Sequence, residues 1–392
     1  MKKILYLTFY FEPDLCAGSF RNSPLAKMLA KKVEGKADID LITTLPNRYS
    51  SFSVEAPEFE NRENMNIYRV AIPLHNSGMK DQVFSFKTYF SKVKKIVSDK
   101  KYDLVVASSS RLFTAYLGYT IAHKQGIPLY LDVRDIFYDT LEDVLPEGLL
   151  KITALPLIKL IEKKTFTYAS HINLISKGFK DYFKKYTKPS YSYFPNGIDD
   201  IFINNFNKEL LHQNKNASEK TIVYAGNVGE GQGLHKIVPK IALLLGADFK
   251  IKIIGDGGAK QKLVDEVNKL NVNNVDFLAP VKRDELIEIY NNSDYLFVHL
   301  NDYKAFEKVL PSKLFELSTF SKPIIAGVGG YAATFVKENI ENSILFNPCD
   351  ADDFIKKFRK YDYKIVKRNS FINNFKRETV NNKLSESIIN FL

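Results

Sequence analysis

Tryptophan is absent from this chain of 392 residues, and cysteine nearly so. Cys16 and Cys349 stand 333 positions apart, which excludes a disulfide framework and any CxxC redox or zinc unit and points to reduced thiols. No window reaches 18 consecutive apolar residues, so a membrane-spanning helix is not expected. The opening MKKILYLTFYFEPD has a basic start and an apolar run, but Glu12-Pro13-Asp14 breaks it before a convincing cleavage pattern. A buried first strand fits better, and the chain reads as soluble or peripheral. Also missing are the phosphate loop GxxxxGK[ST], the dinucleotide fingerprint GxGxxG and a convincing DxD run at a strand end. These absences argue against a P-loop nucleotidase and a standard NAD site, and no metal or other cofactor is expected.

What is abundant is positive charge. Fifty-six lysines and arginines outnumber 45 acids, a formal charge of +11. Without an arginine-rich run or zinc-finger spacing this does not read as nucleic-acid binding. The surplus gathers in residues 80–101, with seven lysines, and 177–188, with five. Both interleave lysine with aromatics: Phe84, Phe86, Tyr89 and Phe90 in the first, Phe179, Tyr182 and Phe183 in the second. Such segments suit an anionic membrane surface, unless the aromatics pack inward and the lysines face water.

The length predicts two domains, and the pattern is α/β in both. Apolar runs at residues 3–9, 39–43, 67–72, 103–107, 127–131, 171–175 and 191–194 alternate with helical patterns, one of them, residues 154–168, interrupted near Pro156. Ser19 or Asn22 is placed to cap the helix through Leu25 and Leu29. A hydrophilic stretch at 204–220 reads as a linker or a surface excursion, with the boundary between 196 and 220. A second series follows at 221–225, 249–254, 275–277, 295–299, 323–326 and 344–346. This predicts open parallel sheets whose ligands gather at the carboxyl ends of strands. That rule places Gly18, the run Ser108-Ser109-Ser110 and Asp132–Asp135 on one rim.

The most informative stretch is FEKVLPSKLFE, residues 306–316. Pro311 suits a first helical turn, and Ser312 and Lys313 sit beside free amides where an anion is favoured. Glu316, deeper in the helix, accepts two hydrogen bonds in a fork, as a sugar diol requires. Phosphate at the helix mouth and a diol along it describe a nucleotide; the competing reading is an ordinary capped surface helix. Three glycine-bearing loops, at 226–233, 255–258 and 327–330, add a cradle for a diphosphate, though any one of them is also a plain turn. His171 and His299 read as structural.

With AGSFR (17–21), DVRD (132–135), PNGID (195–199), YAGNVGEGQG (224–233), IIGDGG (253–258) and LPSKLFEL (310–317) in this order, the chain resembles retaining glycosyltransferases of the GT-B fold, family 4. It is most similar to bacterial sugar transferases of capsule and O-antigen assembly, including N-acetyl-L-fucosamine transferases. The resemblance implies two Rossmann-like domains facing across a cleft. These are an acceptor-binding domain at 1–200 and a nucleotide-sugar domain at 201–375, with 376–392 returning to the first. It assigns Glu316 to the ribose hydroxyls, and Lys313 with the amides near Pro311 and Ser312 to the diphosphate. Gly18 falls to the donor-facing loop of the first domain, and Gly255 and Gly257 to the nucleobase loop. Asp132, Arg134 and Asp135 take the acceptor-side catalytic groups.

Two departures stand out. The E-x7-E arrangement has Lys308 at its first position, with Glu307 one residue off register as the donor-sugar candidate. The cations common on the loop after Gly226 are replaced by Asn227 and Gln232, leaving Lys313, backbone amides and Arg21 for the diphosphate. The implied reaction transfers a sugar, an N-acetylated deoxyhexosamine among the possibilities, from a UDP-type donor. The implied acceptor is a glycan on polyprenyl diphosphate at the cytoplasmic face of the plasma membrane. A nucleotide-sugar epimerase without lipid acceptor, and an inert basic module binding anionic surfaces or nucleic acid, are the competing classes.

Overall fold

The computed structural model describes residues 1–14, 16–46, 55–73, 79–109, 112–145, 148–208 and 219–392. Ser110, part of the 204–220 stretch and the side chains that open the basic segment at 80–83 lie outside the described residues. The chain divides into two compact units, Met1–Pro195 with Val380–Leu392, and Asn196–Thr379.

The first unit is an eight-stranded sheet. Its strands are β1 (Lys2–Leu7), β2 (Ala37–Thr44), β3 (Phe59–Arg62), β4 (Met65–Val70), β5 (Leu104–Ser109), β6 (Leu129–Val133), β7 (His171–Leu174) and β8 (Ser190–Ser192). The order is β3-β4-β2-β1-β5-β6-β7-β8. All neighbours pair parallel except β3 with β4. β1, β5 and β6 are buried on both faces, as parallel strands under helices must be. One face packs Leu25 and Leu29 of the helix Ala17–Val33 against Ile4, Tyr6, Leu41 and Val106. Leu384 and Ile388 of the C-terminal helix Arg377–Ile389 join that core.

The second unit is a six-stranded parallel sheet. Its strands are β9 (Lys220–Ala225), β10 (Phe249–Ile254), β11 (Val275–Leu278), β12 (Tyr295–His299), β13 (Ile324–Gly327) and β14 (Ser343–Phe346), in the order β11-β10-β9-β12-β13-β14. Alternate residues of its strands feed two cores. One holds Val223, Leu296 and Phe315 with Phe371, the other Ile222, Phe297 and Phe346 with Phe354 and Phe358. These aromatics of the C-terminal fifth thus stay in the second unit. Among the described residues no helix is long and apolar enough to cross a membrane.

Two expectations need correction here, and one open alternative can be described. Ser19 and Asn22 do not cap the first helix, which starts at Ala17 without a side-chain cap. Asn22 instead donates to Thr8 Oγ1 (2.8 Å) and accepts from the Tyr6 hydroxyl (2.9 Å), pinning the helix to β1. The helix around Pro156 is not interrupted and runs Leu149–Tyr168, with Pro156 on its exposed face. In the second basic segment Phe179 and Phe183, each 1% exposed, face inward; in the first Tyr89 is buried, Phe86 and Phe90 are half-buried and Phe84 is exposed.

Candidate functional site

Each unit presents its loops at the carboxyl ends of its parallel strands. In the first unit, β6 ends in the DVRD run, and its four residues do different things. Asp132 is 1% exposed. It is gripped in a fork by Arg21, Nε to Oδ2 and Nη2 to Oδ1, both at 2.8 Å. Ser108 Oγ and Asn173 Nδ2 donate to the same carboxylate at 3.0 and 2.8 Å. Register explains the gathering, since Ser108, Asp132 and Asn173 are direct neighbours across β5, β6 and β7. Burial alone would raise the Asp132 carboxyl, but Arg21, Asn173 and Arg134 outweigh it and hold it below the usual range.

This overturns two assignments. Asp132 is not an open catalytic group, because its four donors saturate a carboxylate that accepts about that number. Nor does Arg21 present a free cation to a diphosphate. Its remaining N–H groups donate to the carbonyls of Pro195 (2.9 Å) and Phe194 (3.0 Å), where the chain leaves the unit. The pair holds helix, sheet and exit segment together.

Arg134 and Asp135 remain at the rim. The Arg134 amide is fixed by Ser109 O (2.9 Å). Its guanidinium lies close to Gly18, where a Cβ would stand 3.3 Å from Nη1 and 3.1 Å from the Tyr10 ring. Gly18 therefore makes room for this arginine. Asp135 is exposed as a residue, while burial of its carboxyl group pushes it up to about 6, with Arg134 opposing.

In the second unit, the loops after β9 and β10 fit into one another through glycine. Gly226, Gly255 and Gly257 have φ of +152°, +140° and +159°. A Cβ on Gly255 would stand 1.9 Å from Gly226 O, and one on Gly257 2.6 Å from Val228 O. Backbone bonds Gly226 N to Ile254 O and Val228 N to Asp256 O, both 2.9 Å, lock the pair. Gly255→Ala is expected to destabilise the protein by about 2 kcal/mol, since strain and collision coincide there. Urea denaturation against Gly258→Ala, where a Cβ meets open space, checks it.

Asn227 and Gln232 brace this loop from within. Asn227 Nδ2 donates to Gln232 Oε1 (2.8 Å), which also takes the Gly229 amide (3.2 Å). The Gln232 carbonyl meets His299 Nδ1 at 2.6 Å, and Cys349 N donates to His299 Nε2 at 3.0 Å. Burial drives His299 down to about 4, so it is a neutral strut.

The helix at the centre of the sequence reading is Lys313–Leu317, five residues, and Pro311 and Ser312 precede it. The Leu314 and Phe315 amides are already bonded, to Pro311 O and Ser312 O, so fewer amides are open than expected. Lys313 and Glu316 are paired, Nζ to Oε1 at 2.8 Å, with side chains 25% and 19% exposed. The buried Tyr290 hydroxyl donates to the same oxygen at 3.1 Å. Tyr290 gave no signal in sequence. Lys313 Cε would lie 3.8 Å from a Cβ at Gly226, so the helix and the first glycine loop share one corner.

Glu307 lies on the short turn Lys304–Lys308, its side chain exposed. Its carbonyl abuts Gly330, whose φ is +51° and where a Cβ would stand only 2.0 Å away. With Asn301, Tyr303, Phe306, Gly329 and Pro348 it lines a recess of about 150 Å³.

Residues 205–378 match the family model of glycosyl transferases group 1. A protein of Escherichia coli K12 named as a colanic acid biosynthesis glycosyl transferase, WcaI, is 31% identical over 97 residues. That match spans 25% of this chain and 24% of the relative. The whole chain superposes on sucrose-phosphate synthase of Thermosynechococcus elongatus with a TM-score of 0.74 at 12% identity, covering 99% of that chain. It superposes on Anabaena HepE in complex with UDP and glucose with a TM-score of 0.67 at 16% identity, covering 100% of both chains. The fold is GT-B.

Proposed function

We propose that this protein is a retaining glycosyltransferase that takes a sugar from a UDP-type donor. The observation that carries the reading is the corner of the second unit where Gly226, Gly255, Gly257, Lys313 and Glu316 meet, inside the segment that matches the family model. Backbone-lined glycine loops admit a diphosphate closely. Lys313 is the cation at hand for the leaving group's charge. Glu316 Oε2, without a hydrogen bond among the described residues while Oε1 is occupied, is the acceptor for a ribose hydroxyl. The recess beside Glu307 and Gly329 is a place for the donor sugar. The complexed HepE supports UDP as the class of nucleotide.

For the acceptor, we assign Arg134 and Asp135 as the polar pair of the first unit. A carboxyl raised to about 6 is suited to accept a proton from an attacking hydroxyl near neutral pH. The proposed acceptor is a sugar on polyprenyl diphosphate in surface polysaccharide assembly, reached by a protein peripheral to the cytoplasmic face of the membrane. The donor sugar includes N-acetylated deoxyhexosamines among its candidates.

The test is UDP release from a panel of UDP-sugars, with and without membrane-extracted acceptor. Acceptor-dependent release supports transfer. Conversion of the nucleotide sugar alone indicates an epimerase or hydrolase, and stabilisation by duplex DNA but not UDP indicates an inert basic module. Activity should fall as pH drops through about 6, where Asp135 takes up its proton, and Asp135→Asn should abolish that limb. An unchanged profile in the variant removes Asp135 from proton transfer.

A further inference from the structure

The helix Leu149–Tyr168 buries one side and leaves the other bare. Ile158, Glu162, Thr165 and Phe166 face the first unit, at 5% exposure or less. On the outer face Ile152, Leu157 and Leu160 are 70%, 57% and 50% exposed. Their spacing sets them on one side of about three turns, with the exposed Pro156 between them. Isolated exposed leucines are ordinary, but a contiguous stripe calls for a partner.

The same face turns basic toward its C-terminus, through Lys159, Lys163 and Lys164, all exposed. The helix's own acid, Glu162, is turned inward onto the Tyr182 hydroxyl. Lys185 comes alongside from the second basic segment. Pro156, Lys159, Leu160, Lys163, Lys185 and Tyr186 line a shallow recess of about 460 Å³. Two of the ammonium groups are held over rings, Lys159 4.8 Å from Tyr138 and Lys185 3.9 Å from Tyr182. The result is an aliphatic strip with a cationic shelf along it.

We infer that this face docks the protein on an anionic lipid bilayer. Ile152, Leu157 and Leu160 enter the boundary between headgroups and acyl chains, while Lys159, Lys163 and Lys185 meet lipid phosphates. Charge decides the occupant. A second copy meeting through the same patch would set these lysines against one another, since such a contact pairs a surface with itself. A nucleic acid would satisfy the lysines but leave the strip in water. The inference deepens the proposed function by naming its membrane-facing surface, and it rests on that reading for a membrane-held acceptor. It also shifts the contact away from the two basic aromatic segments, where Tyr89, Phe179 and Phe183 are buried, Phe86, Phe90 and Tyr182 are half-buried and Phe84 is the prominently exposed ring.

The experiment is cosedimentation of the full chain with phosphatidylcholine vesicles, with or without phosphatidylglycerol, alongside calorimetric UDP binding and melting curves. The parent should prefer the anionic vesicles. Lys159→Glu with Lys163→Glu, and separately Leu157→Glu with Leu160→Glu, should each weaken binding by about tenfold or more. Melting and UDP affinity should stay unchanged, and Lys92→Glu with Lys94→Glu and Lys95→Glu should bind vesicles as the parent does. Equal sedimentation of either pair and the parent overturns the inference. So does sedimentation velocity showing a dimer that Leu157→Glu with Leu160→Glu dissolves. Vesicle binding without UDP binding would leave this surface standing and bring down the donor reading; UDP binding without vesicle binding would do the reverse.

Discussion

Asp132→Asn is expected to cost the protein about 3–5 kcal/mol of stability, the loss typical of breaking a buried ion pair from one side. The variant strands the Arg21 guanidinium, 4% exposed, beside a neutral amide. For a protein of this size such a loss lowers Tm by roughly 4–6 °C. Replacing both partners, Arg21→Met with Asp132→Leu, should recover much of the loss, since no charge is then left buried alone. The pH dependence follows from the direction of the shift. Asp132 is held below its usual range in the fold, so its contribution is present above the unfolded value near 4 and is lost as pH falls through the lower folded value. Acid titration of stability should therefore be shallower below pH 4 in the variant. Chemical denaturation of parent, single and double variants measures this. Parental stability of Asp132→Asn, with activity alone lost, would return Asp132 to the chemistry.

Asp132 also shows why part of the site was not legible. The strand pattern of both sheets follows from apolar runs, and glycine-bearing loops after β9 and β10 announce themselves. Whether a carboxylate at a strand end faces solvent or a partner depends on register. Ser108, Asp132 and Asn173 form one row only after β5, β6 and β7 are aligned, and Arg21 arrives from 111 residues away. Nothing local separates Asp132 from Asp135, yet one is sealed and the other open. The strand missed altogether is β3, FENR, which is half exposed and pairs antiparallel at the sheet edge. It carries neither an apolar run nor a clean alternation.

The second unit has fewer open polar groups than its loop sequences suggest. Asn227 and Gln232 stand where related loops carry cations for the diphosphate. In the fold they satisfy each other, and the loop gains rigidity where it gives up charge. The side-chain cations beside the glycine loops include Lys260, whose Nζ donates to Gly255 O at 3.0 Å, and Lys313, which is already paired with Glu316. A diphosphate would compete for this lysine. Binding then exchanges one ion pair for another, and the carboxylate is released toward the nucleotide.

This exchange makes Glu316→Gln the sharper test of the donor corner. Charge-assisted hydrogen bonds are worth about 1.5–3 kcal/mol, so UDP affinity should fall roughly tenfold to a hundredfold. Stability without ligand should fall too, though by less, because Gln keeps a carbonyl for the Tyr290 hydroxyl and loses the charge that holds Lys313. For a partly exposed pair that loss is about 1 kcal/mol or less. Glu316→Leu removes both bonds, leaves the Tyr290 hydroxyl without its acceptor, and should destabilise further. A 2′-deoxy nucleotide separates structure from recognition. If Glu316 accepts from the 2′-hydroxyl, the deoxy compound binds the parent weakly and loses little more on Glu316→Gln, a coupling that titration of the four combinations measures directly. Strictly additive losses would mean that Glu316 serves Lys313 and Tyr290 alone. The nucleotide would then have to be held by the glycine loops without a grip on its ribose.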